Sequence, residues 1–291
     1  MTIVAIPNVS EGRDDARLAS FRRVVEDGGG AVLDVHRDGA HNRSVLTVAG
    51  SPDALVRSMS ALAGAASAID LTRHDGVHPC VGGLDVCPVV PHGEEMALAV
   101  AVAHAIGRTI AADAQLPVYL YEHAAPDRRT LPEIRRGGLR ELAARARSGF
   151  APDYGPARVD LRRGVVCVGA RGPLVAFNVW TCCDLATARA IAARVRAANG
   201  GVPGVRALGL LVGPPDRTQV SMNLTTPERA GVDDAFEAVR RVADTLGARI
   251  EATEIVGLPP ERFLPRPDAQ AARLLLRPGR SLESALRAAR V

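Results

Sequence analysis

Twice along the 291-residue chain the spacing of apolar residues switches, in the same order, between the two-residue period of a strand and the period of about 3.6 residues of a helix. Residues 3–7 read as a short strand. Residues 14–26 carry Leu18, Phe21, Val24 and Val25 at helical spacing and run into Gly28, Gly29 and Gly30. Two strand-like runs, 31–36 and 44–49, are joined by a polar loop. Ser51 then caps a helix that has Pro52 at its first position and continues to Ile69, and 84–91 reads as a buried strand. The second round has a strand at 174–180, a helix at 184–199 capped by Asp184, strands at 205–212 and 219–224 hinged at Gly213-Pro214-Pro215-Asp216, a helix at 232–246 and a strand at 249–256. Each round is βαββαβ.

Two such units predict an α+β chain with the topology of a duplicated ferredoxin-like fold, helices covering one face of each sheet. The sheets' other faces are free to pack together, with a cleft or tunnel at the seam. The expected subdomains are residues 1–172 and 173–291. Between the two rounds lie a helix at 94–112, a strand at 117–121, a proline-punctuated helical stretch to Arg147 and a glycine-rich segment, 149–164. The tail from Leu258 ends in an amphipathic arginine-rich helix at 281–290, read as packing or oligomer surface.

Composition narrows the chemistry. All 36 Lys-plus-Arg residues are arginine, which excludes a lysine Schiff base, a P-loop lysine and a kinase-type lysine–glutamate pair, because guanidinium cannot replace a compact or deprotonatable amine. The net charge is +4 but only 3% of residues are aromatic. Base-stacking surfaces need more, so no nucleic-acid partner is expected, and the charge reads as solvated surface or a field for small anions. The N-terminus MTIVAIPNVSEG has no signal-peptide pattern. The longest apolar stretch, 96–106, is interrupted by His104 and is too short for a bilayer, so no membrane partner is expected. Five cysteines, with Cys182 and Cys183 adjacent and no CxxC, read as reduced thiols in a cytoplasmic protein.

Four of the seven histidines, His36, His41, His74 and His78, fall within a short span. The densest part, Arg73-His74-Asp75-Gly76-Val77-His78-Pro79-Cys80-Val81-Gly82-Gly83, is a loop by its Gly and Pro content. Such a histidine is suited to general acid–base work near neutral pH, and Pro79 restricts the backbone of His78 to extended conformations. A metal reading (His74, His78, Cys80) lacks a continuous helix to align the imidazoles and a completing ligand set, so no metal is expected. A Cys80 nucleophile paired with His78 and a purely structural histidine loop are the remaining readings of this segment.

A set of motifs carries a resemblance. Ile6-Pro7-Asn8-Val9-Ser10-Glu11-Gly12, the stretch from Leu33 to Arg43, His74-x-Gly-x-His78-Pro79, Leu84-Asp85-Val86-Cys87-Pro88, Pro117 to Tyr121, Arg129-Thr130-Leu131-Pro132, Ala151 to Pro156, Gly169-Ala170-Arg171, Gln219 to Leu224 and Glu254 to Leu258 together resemble the formiminotransferase domain of the glutamate formimidoyltransferases, over nearly the whole chain. The resemblance implies transfer of a formimidoyl group from N-formimidoyl-L-glutamate to N5 of tetrahydrofolate. It also implies a homodimer with a folate tunnel between two ferredoxin-like subdomains. The family's catalytic histidine falls on His78. Its folate loop falls on Gly155, Pro156, Ala157, Arg158, Val159, Asp160, Leu161, Arg162, Arg163 and Gly164. Arginine forks suit glutamate and folate carboxylates, making Arg43 and Arg171 substrate-binding candidates alongside His36 and His74.

The chain also departs from the family pattern. Asp34-Val35-His36 stands where a DxD is usual, and Val77-His78-Pro79-Cys80 where Glu-His-Pro-Arg is usual. Leu161-Arg162-Arg163 stands where an aromatic residue is common, and Val165-Val166 replaces a small-residue pair. These departures bear on substrate identity more than on reaction type. An amidine or amide hydrolase on the same scaffold, another one-carbon transferase and a non-catalytic folate-binding protein are the alternatives.

Overall fold

The computed structural model describes residues 2–213 and 216–291. Pro214 and Pro215 of the expected hinge lie outside the described residues. The chain divides into two compact units, Met1–Gly172 with Ala289–Val291, and Pro173–Ala288.

The first unit begins with β1 (Ile3–Ala5), inside the expected first strand, and β2 (Asn8–Val9), a second short strand just beyond it. Helix α1 (Asp15–Asp27) follows, then β3 (Ala31–Asp38), β4 (Arg43–Gly50), α2 (Pro52–Ala66) and β5 (Leu84–Val90). The cap read at Ser51 is formed, accepting from the Ala54 amide at 3.3 Å; Asp14, expected as the first helical residue, caps α1 instead, accepting from the Arg17 amide at 2.9 Å. Across the sheet the order is β3, β4, β1/β2, β5, all antiparallel. Leu46 and Val48 of β4 and Val9 of β2 point to the side of α1 and α2, where they pack with Phe21, Val25, Leu55, Met59 and Leu62. Each such side chain removed from water contributes about 1.5–3 kcal/mol before entropy is counted.

The sheet then continues beyond the expected βαββαβ. Helix α3 (Met96–Asp113) leads to β6 (Val118–Glu122), then α4 (Leu131–Arg135), α5 (Gly138–Arg147) and a strand that sequence reading left unassigned, β7 (Val166–Ala170). β7 inserts between β5 and β6 and is parallel to both. All five of its residues are buried, so it has no alternation to read, as expected of a strand covered on both faces. This corrects the expectation that helices cover one face only. Ile134 of α4 and Leu142, Ala143 and Ala146 of α5 cover the opposite face of the extension, against Tyr119, Tyr121, Val86 and Cys167. The apolar stretch at 96–106 also proves to be part of a longer helix: α3 has 18 residues, enough by length and composition to span a bilayer. It packs on the sheet through Ala99, Val102, Ala103, Ile106 and Ile110.

The second unit comprises β8 (Val175–Cys182), α6 (Leu185–Val195), β9 (Val205–Gly213), β10 (Arg217–Leu224), α7 (Val232–Thr245) and β11 (Arg249–Val256). Its sheet has the order β11, β8, β10, β9, antiparallel throughout. Asp184 caps α6 through the Thr187 amide at 2.7 Å. That helix stops at Arg196, whose backbone turns extended, so the segment to Asn199 is a separate 3₁₀ turn rather than the helical continuation expected. Phe177, Val179, Val220, Met222, Phe236 and Val239 form the core between sheet and helices. The tail carries short α8 (Gln270–Arg273) and α9 (Leu282–Ala289).

Candidate active site

On the face of β3 and β4 away from α1 and α2, the strand period of two aligns Asp34, His36 and Asp38 with Thr47, Val45 and Arg43 of β4. Asn8 of β2 lies opposite Val45. Three separated segments converge near Arg43, at the mouth of the β3–β4 hairpin.

The first is the hairpin itself. The Asp38 carboxylate accepts the His41 amide at 2.9 Å and pairs with His41 Nδ1 at 2.6 Å. Asn42 takes a left-handed conformation (φ 46°), one that asparagine tolerates, and its Oδ1 accepts the Gly12 amide at 3.0 Å. Burial pushes Asp38 up, but its hydrogen bonds from the side chain and backbone of His41 and the attraction of that ring outweigh it, holding the carboxyl below its usual value.

The second segment is the histidine loop. After α2, Asp70 Oδ1 accepts the Thr72 amide at 3.0 Å, and the Val77 amide donates to the Ala40 carbonyl at 3.2 Å. Gly76 makes this docking feasible, because a Cβ there would run into the His41 carbonyl. His78 is thereby set beside His41, with ring centroids 5.8 Å apart and planes tilted by 52°. His78 Nδ1 lies 2.9 Å from the Pro79 carbonyl. A carbonyl only accepts, so Nδ1 carries the hydrogen and Nε2 presents its lone pair.

The third segment is the start of β5. Asp85, with 0% exposure, accepts the Val81 amide at 2.8 Å on one oxygen. On the other it meets Arg43 Nη1 at 2.5 Å and Arg135 Nη2 of α4. Arg43 also donates from Nε and Nη2 to Asn8 Oδ1, at 3.2 and 2.9 Å. Arg135 is the last residue of α4, whose first turn is closed by Glu133 reaching back to the Thr130 amide at 2.6 Å. Burial raises Asp85, but the two guanidiniums overcome it and hold the carboxyl below its usual value. Two guanidiniums and one carboxylate leave an excess of one positive charge in a nearly dry pocket. Loss of solvent, and then the charges of Arg43 and Arg135, hold His78 well below its ordinary pKa against the opposing pull of Asp85. The ring is neutral at physiological pH.

The other expected site residues are distributed as follows. His74 Nδ1 lies 3.4 Å from Asn42 Nδ2, on the rim of the same cluster, and burial is the main cause that lowers its pKa. His36 sits on β3 two residues before Asp38, opposite Val45. Arg171 is elsewhere: it follows β7, its amide donates to Val89 and its guanidinium to the Gly172 carbonyl at 2.9 Å. Val89 is four residues along β5 from Asp85, about 13 Å at ~3.3 Å per residue. In the expected folate loop, Gly155, Pro156 and Ala157 lead from the contact of Tyr154 with Val118. Val159 is buried against α4 and α5. Asp160 to Gly164 form a turn closed by the Gly164 amide on the Asp160 carbonyl at 2.7 Å, with Leu161 packed on the same cluster as Val159. Arg162 pairs with Asp70 at 3.0 Å and Arg163 donates to the Ala114 carbonyl at 2.6 Å. Arg158 is exposed, with no ion pair among the described residues. Gly164 bridges to Gly82, and the Val165 amide donates to Val81 at 2.8 Å, so the end of this loop is stitched to the end of the histidine loop.

Sequence reading assigned no role to Asp38, His41, Asp85 or Arg135. A signal for Asp85 was present, since a lone carboxylate inside an apolar strand run implies a buried partner; nothing local pointed to Arg135. Cys80 is no ready nucleophile, because burial and the Asp85 charge push its thiol up against weaker opposing contributions from Ser10, Arg43 and Arg135. Among the described residues no group of three or more His, Cys, Asp or Glu side chains could hold a metal ion.

Comparison with known proteins adds an independent line. Residues 2–171 match the formiminotransferase domain, N-terminal subdomain, and residues 176–271 the formiminotransferase domain. A glutamate formimidoyltransferase of Streptococcus pyogenes serotype M1 is 33% identical over 269 residues, covering 90% of each chain. One from Thermoplasma acidophilum is 35% identical over 273 residues, covering 90% of this chain and 89% of that protein. A formimidoyltransferase-cyclodeaminase of Mus musculus is 34% identical over 274 residues, or 90% of this chain and 51% of that longer protein.

Proposed function

This chain belongs to the formiminotransferase family and is a transferase enzyme, and from that premise we propose that it moves the formimidoyl group of N-formimidoyl-L-glutamate to N5 of tetrahydrofolate, with His78 as general acid–base. The observation that carries the reading is the placement of His78: its Nδ1 lies 2.9 Å from the Pro79 carbonyl, which leaves Nε2 to act as the base, beside the buried cluster of Arg43, Arg135 and Asp85.

The chemistry needs such a base. The formimidoyl carbon is an amidine centre, and attack by the folate N5 amine gives a tetrahedral intermediate in which that nitrogen must lose its proton. The C–N bond to glutamate then breaks, and the departing nitrogen must gain one. A positioned imidazole contributes about 10² to 10⁴-fold to such transfers, and the remainder falls to positioning. The excess positive charge around Arg43, Asp85 and Arg135 would repel the amidinium end of the donor and attract its carboxylates, which orients the donor with its amino-acid end toward Arg43. His74, on the rim of the same cluster, and His36, two residues before Asp38 on β3, belong to the same donor pocket in this reading. Arg171, away from the cluster, would meet a different anionic group.

For the folate co-substrate, the loop from Gly155 to Gly164 supplies Arg158 as an exposed cation with no ion pair among the described residues, whereas Arg162 and Arg163 already have partners. Carboxylates of the folate tail fit Arg158. In this reading residues 1–172 and 173–291 are two ferredoxin-like subdomains, supported by a βαββαβ order in β8 to β11 and in the first unit up to β5, before its parallel extension, and a cytoplasmic homodimer completes the reading.

Mixing the purified protein with N-formimidoyl-L-glutamate and tetrahydrofolate, and following 5-formimidoyltetrahydrofolate by absorbance, tests the proposal. Product should form at a rate proportional to enzyme. Folate binding without product, or release of ammonia from the donor without folate, would overturn it in favour of a binding protein or a hydrolase.

A further inference from the structure

We propose that Asp38 and His41 form a second proton-transfer pair next to His78, so that two imidazoles, rather than one, divide the proton transfers of the reaction. The inference rests on the formimidoyl-transfer reading above and adds His41 as the residue that protonates the departing nitrogen.

Three observations carry it. His41 is buried, at 6% exposure, and so is Asp38's contact with it: one carboxylate oxygen takes the ring at 2.6 Å and the other takes the His41 amide at 2.9 Å. The ring's orientation is therefore set by the hairpin and not by solvent. The His41 ring stands 5.8 Å from that of His78, close enough for both to border one tetrahedral carbon. Finally, the two rings sit in opposite surroundings. The charges facing His78 are Arg43, Arg135, Asp85 and His41, with an excess of guanidinium that favours a neutral base. His41 has the ionised Asp38 against its Nδ1, the counter-charge that a proton-donating imidazolium needs. Neighbouring titratable groups whose surroundings differ in this sense divide into acid and base.

The step balances. His78 Nε2 takes the proton of the attacking N5 as the new C–N bond forms. His41 enters the step as the imidazolium, Nδ1–H on Asp38, and gives its Nε2 proton to the glutamate nitrogen as the old C–N bond breaks, and the electron pair of that bond stays on nitrogen. His78 is left protonated and His41 neutral, and one proton passed from His78 to its neighbour restores both. One imidazole acting alone would have to leave the attacking nitrogen and reach the departing one within the lifetime of the intermediate. Two rings remove that requirement.

The test has two arms. With N-formimidoyl-L-glutamate and tetrahydrofolate, His41→Gln should lower kcat by about 10²-fold with KM for both substrates within about threefold, and Asp38→Asn should lower kcat by about tenfold or more, in proteins whose melting temperature shows that they are folded. A purely structural role would move the melting temperature and leave kcat; His41→Gln or Asp38→Asn with kcat within about threefold of the parent overturns the proposal. In the unsubstituted protein, nitrogen-15 histidine NMR at pH 7 should find the Nδ1 of both His41 and His78 protonated and the Nε2 of His78 bare. A His41 whose Nδ1 carries no proton overturns the pair without reference to turnover. If the unsubstituted protein makes no product, the assigned substrates are wrong, and the NMR arm alone then decides the pair.

Discussion

Arg43 and Asp85 are 42 residues apart in sequence and meet at 2.5 Å, with the arginine side chain 11% exposed and the aspartate 0%. A second guanidinium, from Arg135, reaches the same carboxylate oxygen. Taking three charged groups out of water costs several kcal/mol per ion, and mutual attraction repays it only with good geometry and further hydrogen bonds. Here the Val81 amide and Asn8 supply those bonds. What remains is one uncompensated positive charge next to a neutral imidazole, and each expectation below depends on that arrangement or on the loops that create it.

Asp85→Asn should destabilise the protein by about 3–5 kcal/mol, because two buried guanidiniums then face each other without their counter-ion. Denaturant unfolding followed by circular dichroism reads this directly. A change below about 1 kcal/mol would show that the pocket is wetter than the exposures imply.

His78→Gln should lower kcat by about 10² to 10⁴-fold while leaving the melting temperature nearly unchanged at pH 7.5, since the ring is partly exposed and already neutral. The pH dependence has a definite sign. In the unfolded chain the ring titrates near 6.5 and in the folded protein well below it, so between those values the unfolded state binds more protons and stability falls as pH drops. His74 has the same sign. The melting temperature of the parent should therefore decline from pH 7 toward pH 5 more steeply than that of His78→Gln. The contribution of Asp85, whose carboxyl is held below 3.8, is lost only in more acid solution.

Cys80→Ser should keep kcat within a few-fold of the parent. Its thiol, pushed up by burial first and by Asp85 second, stays protonated at neutral pH and should react slowly with iodoacetamide. Loss of activity on this substitution, or on selective alkylation of Cys80, would restore the nucleophile reading set aside above.

Gly164→Ala should cost more than the ~1–2 kcal/mol of placing a Cβ in the left-handed region. Gly164 has φ of 72°, and its new methyl group would also enter the space of the Val81 carbonyl and the Leu71 side chain. Because the Val165 amide holds Val81 directly beside it, the displacement should pass to the histidine loop and lower turnover along with the melting temperature. Calorimetry and the transfer assay on one preparation check both effects; a destabilised variant with unchanged kcat would uncouple the two loops.

Much of this molecule is legible without coordinates wherever the cause is local. The caps at Asp14, Ser51 and Asp184 satisfy amides three residues away, and the apolar stripe of α1 follows the helical period, so sequence alone located these elements to within a residue or two at their starts. It also located the glycine- and proline-bearing loop around His78 and the motifs that place the chain in its family. What it could not determine is distant pairing. β7 is uniformly apolar and becomes a strand because β5 and β6 flank it on both edges, a parallel arrangement that closes only after long excursions through α3, α4 and α5. The same holds for chemistry. The short sequence from Asp38 to Arg43 contains a carboxylate, an imidazole and a guanidinium, yet only folding sets His41 against His78 and Arg43 against Asp85 and Arg135. Local bonds depend on spacing along the chain, whereas the charge and protonation of a buried site depend on which distant groups share its low-dielectric surroundings, and that is decided by packing.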